Sequence, residues 1–241
     1  METSSADKTP AEILAIVRAN RDDVRRRIAK AAVASGRTPE SVRLVAVTKY
    51  AEPAWVQALL EIGEVDLGEN RPQQLEERAA LFPDSVHWHL IGHLQRNKIR
   101  RTLPLVDLIH SLDTAKVVEA VDRVAAELGL RPHILLEVNV SGETSKDGFT
   151  PDSVRSVWPQ LRRLEHVAIR GLMTMAPLTS TPDAARPVFR SLRQLRDELA
   201  AGDPHRLPEL SMGMTGDFEA AIAEGATIVR IGSALWSGLA P

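Results

Sequence analysis

Eight times along this chain a short apolar run gives way to a glycine-rich or polar turn, and then to a segment of helical period. The runs cover residues 44–48, 65–68, 86–91, 106–111, 134–139, 168–173, 209–212 and 227–231. Several, LVAV, ILLEV and TIVRI among them, are apolar on both faces, the mark of parallel strands covered on each side. Helical segments at 53–62, 71–81, 94–102, 114–128, 153–164, 183–200 and 217–223 separate them. Thr114 stands where a cap belongs, ahead of a stripe of Val117, Val118, Val121 and Val124. Strict alternation predicts an α/β parallel sheet, and eight strands in 241 residues predict closure into one (β/α)8 TIM barrel. An extra N-terminal helix over 10–34 precedes the first strand, with Ile13, Ile16, Val17, Val24 and Ile28 as its apolar face. Only nine residues follow Gly232, so the eighth helix is short, and the N-terminal helix is expected to cover what it leaves bare. Residues 1–241 read as a single domain, with 1–9 as a disordered tail.

Composition removes several classes of function. Thirty basic and thirty-two acidic residues leave a net charge of −2, which offers no footprint for nucleic acid and no basic patch for anionic lipid. There is no cysteine, hence no disulfide framework, thiolate metal site or cysteine nucleophile. The start, METSSADKTP, has no signal pattern, and no apolar run approaches the roughly 20 residues of a membrane span. A soluble cytoplasmic protein is the expectation.

Function in such barrels sits at the C-terminal ends of the strands. The first ends in Thr48-Lys49, and alternation places Val45, Val47 and Lys49 on one face. If that face is the interior, desolvation lowers the pKa of the amine, and a neutral amine forms a Schiff base with an aldehyde. A lysine snorkelling into water is the plainer alternative. After the second strand, Asn70 in GEN either caps the next helix or turns an amide toward a ligand. The third strand, HWHLIGH, puts His87 and His89 on one face. A metal pair is disfavoured, because the fifth, sixth and eighth strands end in EVNVSG, LMTM and RIGS, without the histidines and aspartate that such a site needs. One histidine lining a pocket and one packed beneath it is more economical.

The seventh and eighth strands run into SMGMTG and RIGS. Glycines let backbone approach a ligand closely, and amides at a helix start suit a phosphate, which barrels often bind after these two strands. Arg230, inside TIVRIG, needs a partner, either an ion pair or an electron-rich ring nitrogen or phosphate. An amine, a phosphate cradle and a buried arginine at one mouth match a phosphorylated aldehyde, pyridoxal 5′-phosphate (PLP).

The set LVAVTK, GEN, WHLIGHLQRNK, SLD, NVSGETSKDGF, RGLMTM, LSMGMTGDFEAAI and ALWSG resembles the YggS/PROSC family of pyridoxal phosphate homeostasis proteins over nearly the whole chain. The resemblance implies the barrel of alanine racemase without that enzyme's second β domain. It implies Lys49 as the Schiff-base lysine and Arg230 opposite the pyridine nitrogen. Ser211, Gly213, Gly232 and Ser233 would form the phosphate site, with Asn70 and His89 flanking the ring. Arg71-Pro72 after GEN and Phe149 after Gly148 depart from the family's usual pattern.

Two functions of different class compete. One is a carrier that holds PLP for intracellular homeostasis without turnover, as a monomer, with PLP-dependent apo-enzymes as recipients. The other is a racemase-like enzyme. A racemase needs a second base across the ring, and the chain's one tyrosine, Tyr50, neighbours Lys49 and so points to the opposite face. An arginine at the pyridine nitrogen also weakens the electron sink. Both points favour the carrier. A class I aldolase is a third reading, with Glu137 as the acid placed to tune the amine. Lys146, in the loop after the fifth strand, is a second amine near the mouth.

Overall fold

The computed structural model describes residues 8–143, 147–177, 181–200 and 206–239 of the chain. Eight parallel strands close a barrel in chain order: β1 (Arg43–Val47), β2 (Asp66–Glu69), β3 (His87–Leu90), β4 (Leu108–Leu112), β5 (His133–Glu137), β6 (Ala168–Met173), β7 (Glu209–Ser211) and β8 (Ile228–Ile231). β1 pairs with β8 in the register Val45↔Arg230, which closes the ring. Two irregularities in register, on either side of β5, let the fourth and sixth strands bend around it.

Alternation sorts the side chains as the sequence predicts. Val45, Leu108, Leu135, Met173 and Ile228 form a small interior cluster, while the opposite faces join one large layer beneath the helices. That outer layer includes Phe189 and Phe218, both fully buried, each contributing about 1.5–3 kcal/mol by leaving water.

The long helix α1 (Pro10–Ala34) starts at the expected residue. Thr9 belongs to it rather than to a tail: Thr9 and Glu12 form a reciprocal capping box. Residues 1–7 lie outside the described residues. Ile13, Val17, Val24 and Ile28 are buried as expected, joined by Ala32, while Ile16 is only partly covered. α2 (Pro53–Glu61), α3 (Pro72–Ala79), α5 (Ala115–Leu128), α6 (Pro151–Leu161), α7 (Arg186–Leu199) and α8 (Phe218–Ala223) follow the periodic segments.

Three local expectations change. The segment 94–102 does not make one helix; a 3-10 turn at Arg96–Lys98 leads into the four-residue α4 (Ile99–Thr102), and a second turn at Leu103–Leu105 contains Pro104, which cannot continue the ladder. Thr114 stands at the N-cap of α5, but its side chain makes no capping bond. Beyond β8 the chain forms successive turns through Leu239 in place of the short helix expected after that strand. α1 fills that place, packing on α2 and α8, with Asn20 Nδ2 donating to the carbonyls of Leu235 (3.0 Å) and Ser237 (2.9 Å).

Candidate functional site

The C-terminal mouth gathers one inward position from each strand end. At β1, Thr48 faces outward and is fixed: its amide donates to Gly68 O (2.9 Å) and its hydroxyl to Glu69 Oε1 (2.6 Å). The next residue, Lys49, opens the turn that follows β1 and is half-buried. Its Nζ lies 5.0 Å from the centroid of Tyr50, whose ring is 81% exposed. Glu69 is wholly buried on the outer face against Arg78 Nε at 2.7 Å, a structural ion pair. Burial pushes its carboxyl up against the opposing pull of Thr48 and Arg78.

Asn70 is exposed at the rim and does not cap α3; that position falls to Arg71, extended ahead of Pro72. Instead Asn70 abuts Gly92 so closely that a Cβ on Gly92 would stand 2.1 Å from its carbonyl oxygen and 2.6 Å from Oδ1. The loops after β2 and β3 are thereby locked together.

At β8, Arg230 is 4% exposed. Nη1 donates to Ser211 Oγ (2.6 Å) and Nη2 to Thr174 O (3.0 Å). Burial draws its pKa down to about 10, with Glu137 and Asp217 opposing, so it stays cationic at neutral pH. From Ser211 a buried chain descends the barrel: Ser211 Oγ to His110 Nδ1 (2.8 Å), His110 Nε2 to His89 Nδ1 (2.9 Å), His89 Nε2 to Asp66 Oδ1 (3.0 Å). Only one set of proton positions satisfies it without an added charge. A carboxylate accepts only, so His89 carries its proton on Nε2 and accepts at Nδ1; His110 then donates from Nε2 and accepts the Ser211 hydroxyl proton. Burial above all, with the Arg230 charge adding to it, holds His110 well below the usual histidine range, hence neutral. Burial, the largest single influence, pushes Asp66 up, but the His89 hydrogen bond together with the charges of His89, Arg43 and His87 brings the carboxyl below its ordinary value.

This chain relocates two expected contact residues. His89 and Ser211 are fully buried below the mouth, so they brace Arg230 from beneath rather than line the opening. His87 lines a cavity of about 340 Å³ at the opposite, N-terminal end, with Arg43, Asp66 and Asp107. Among the described residues no group of histidines and carboxylates is placed to hold a metal ion.

The loops after β7 and β8 keep their backbone donors open. Gly213 has φ +94°, and a Cβ on it would meet Ala221 Cβ at 2.6 Å and Phe218 Cα at 2.9 Å, so glycine is required for α8 to pack there. Gly213 O accepts the Arg230 amide (3.0 Å), which ties this loop to β8. Among the described residues the amides of Thr215, Gly216, Ser233 and Ala234 donate to no partner. Gly232 leads from β8 into the turn where Trp236 Nε1 donates to Val47 O (2.9 Å), holding Ser233 beside β1. Lys146 lies outside the described residues.

The far side of the mouth is acidic, and sequence reasoning singled out only one of its members. His93 Nδ1 meets Asp113 Oδ2 at 3.0 Å, and Glu137 ends β5 beside them. The available signal was position, since Glu137 ends its strand, Asp113 follows β4 directly and His93 follows β3 by three residues. Glu137 is 8% exposed, and burial pushes its carboxyl up to about 7, with Arg230 and His93 pulling down and Asp113 and Asp147 pushing further up. The folded chain thus holds this proton more tightly than an unfolded one, where a glutamate titrates near 4.5. The stability it contributes is full below that value and is lost as pH rises through about 7. Glu137→Gln removes this loss and is expected to gain about 2–3 kcal/mol on wild type between about pH 4 and pH 8, read from urea unfolding at both.

Residues 18–240 match the family model described as alanine racemase, N-terminal domain. A pyridoxal phosphate homeostasis protein of Aquifex aeolicus is 40% identical over 211 residues, which is 87% of this chain and 92% of the relative. The structure of PipY from Synechococcus elongatus with PLP bound is 39% identical, with a TM-score of 0.76 over 87% of this chain and 100% of that one. Alanine racemase of Clostridium difficile shares the fold at 14% identity, with a TM-score of 0.70 over 91% of this chain but only 56% of the enzyme. On the match to the family model and on these identities, the chain belongs to the pyridoxal phosphate homeostasis proteins of the alanine racemase N-terminal domain family.

Proposed function

We propose that this chain binds pyridoxal 5′-phosphate at the C-terminal mouth of its barrel, as a Schiff base on Lys49, and holds it for cofactor homeostasis without turning over a substrate. The observation that carries the proposal is the adjacency enforced by closure of the ring. β1 brings a half-buried amine and β8 a buried guanidinium, while unpartnered amides after β7 and β8 stand beside them. That donor set suits PLP, which supplies an electrophilic aldehyde and an anionic phosphate. Thr215, Gly216, Ser233 and Ala234 would take the phosphate, with Gly213 and Gly232 giving the loops their shape. Arg230 would meet the ring nitrogen as a donor and keep it unprotonated. Asn70 would flank the ring, with His89 and Ser211 bracing Arg230 below.

The carrier is favoured over the racemase because the chain's one tyrosine points to solvent. The proposal places the protein in the cytoplasm, as a monomer supplying PLP-dependent apo-enzymes. Among the described residues no helix is long and apolar enough to cross a membrane.

The test is direct. The protein mixed with PLP is expected to absorb in the visible range, and borohydride reduction followed by peptide mapping is expected to place the reduced cofactor on Lys49. Reduction trapped on any other residue would overturn the assignment.

A further inference from the structure

We propose that the acidic side of the mouth, built from His93, Asp113 and Glu137, is a receiving site for a primary ammonium group, the amine that takes the cofactor from Lys49. The inference rests on the function proposed above and adds the chemistry of the recipient. Around the closed ring β5 stands four strands from β1, and β4 four strands from β8. Glu137 and Asp113 therefore stand across the opening from the strand that carries Lys49, while the Arg230 guanidinium reaches over to Thr174 O at the end of β6 (3.0 Å) and is the charge that pulls most on Glu137.

Acidic residues gathered at a rim would not by themselves make a site. Glu137 supplies the independent observation. Leu135, two residues before it, lies in the interior cluster, so alternation aims Glu137 into the barrel. The residue is 8% exposed, and among the described residues its carboxyl makes no hydrogen bond or ion pair. A buried carboxyl without a donor is costly; Arg230 offsets part of that cost by its charge, and Asp113 and Asp147 add repulsion. An ammonium would relieve both, offering three donors to Glu137, Asp113 and the His93 pair.

The exchange balances. The ammonium would give one proton to the Glu137 carboxylate, and its nitrogen would bond to the carbon of the protonated imine on Lys49. A second proton would pass from that nitrogen to Nζ, the bond from the carbon to Nζ would break, and Glu137 would return the first proton, so that Lys49 leaves as an ammonium and the incoming amine holds the protonated imine. No oxidant or reductant is consumed. Glu137, poised near neutrality, can both take and return that proton.

The experiment uses the loaded protein and follows decay of its visible band after adding n-propylamine, a cation near neutral pH, or hydroxylamine, which is uncharged there. Asp113→Asn and Glu137→Gln are each expected to slow release by n-propylamine roughly tenfold, while hydroxylamine release changes less than about twofold. Equal slowing with both reagents, or none with n-propylamine, would overturn the proposal. A second measurement needs no cofactor. In an NMR titration with n-propylamine, wild type and Lys49→Ala are expected to bind, and the Asp113→Asn/Glu137→Gln double variant is expected not to. Undiminished binding by the double variant also overturns it. A wild type with no visible band instead defeats the cofactor assignment, so the two failures are distinct.

Discussion

Lys49→Ala is expected to lose the visible band completely and to bind PLP at least about 100-fold more weakly, a loss of about 2.7 kcal/mol. The covalent bond needs a nitrogen nucleophile at the end of β1, and alanine leaves only the phosphate contacts and Arg230 to hold the ligand. Lys49→Arg separates charge from chemistry. It keeps a cation in place but not a nucleophile, and is expected to lose the band as fully as alanine does. Neither change is expected to alter stability by more than about 0.5 kcal/mol, because Lys49 is only half-buried and forms no ion pair among the described residues. Absorbance spectra with equilibrium titration, beside urea unfolding, check all three statements. A band surviving in Lys49→Ala would move the covalent site elsewhere.

Gly171→Ala is expected to destabilise the fold by about 4 kcal/mol or more, a large share of the roughly 5–15 kcal/mol that a domain possesses. β6 runs so close to β7 that a Cβ on Gly171 would stand 1.8 Å from Glu209 O and 2.7 Å from its carbonyl carbon. Both obstacles are backbone. Glu209 is paired in register with Gly171, and its carboxylate accepts from Thr227 Oγ1 (2.7 Å), which anchors the start of β8. No flexible side-chain end is available to yield, so the variant must part β6 from β7. Gly216→Ala is the control: a Cβ there meets nothing within 4 Å, and stability is expected to hold within about 0.5 kcal/mol. Urea midpoints of the two variants test this, and a Gly171→Ala protein as stable as wild type would contradict the β6–β7 register.

The fold was legible because its signal is local. Strands such as LVAV are apolar on both faces only when helices cover one side and a filled barrel the other, and all eight fall within two residues of their expected bounds. α1 was legible from its 3.6-residue period and α5 from its valine stripe, while α6, expected from 153, starts two residues earlier at Pro151 with Thr150 as its cap. The segment 94–102 misled because a polar QRNK run and Pro104 interrupt what periodicity alone would join. At the site, strand ends named Lys49, Asn70 and the glycine loops, which follow apolar runs, and Arg230, a charge inside one. Alternation was right to pair His87 with His89 on one face. What it lacked was depth along the barrel, and that puts His89 beneath the mouth.

The sequence by itself determined the periodicities, and through them the closed ring and the order in which polar residues reach its C-terminal rim. Tertiary structure alone decided which of those residues meet. His89 reaches His110 across 21 residues and His110 reaches Ser211 across 101, and no local pattern encodes such contacts. Glu137 looks like any acid in ILLEVN; only closure of the barrel strips its water, brings the Arg230 charge to bear on it, and gives it a proton to exchange near neutral pH. The physical reason is that desolvation and long-range electrostatics depend on everything that surrounds a group, whereas strand and helix formation depend chiefly on its neighbours in the chain.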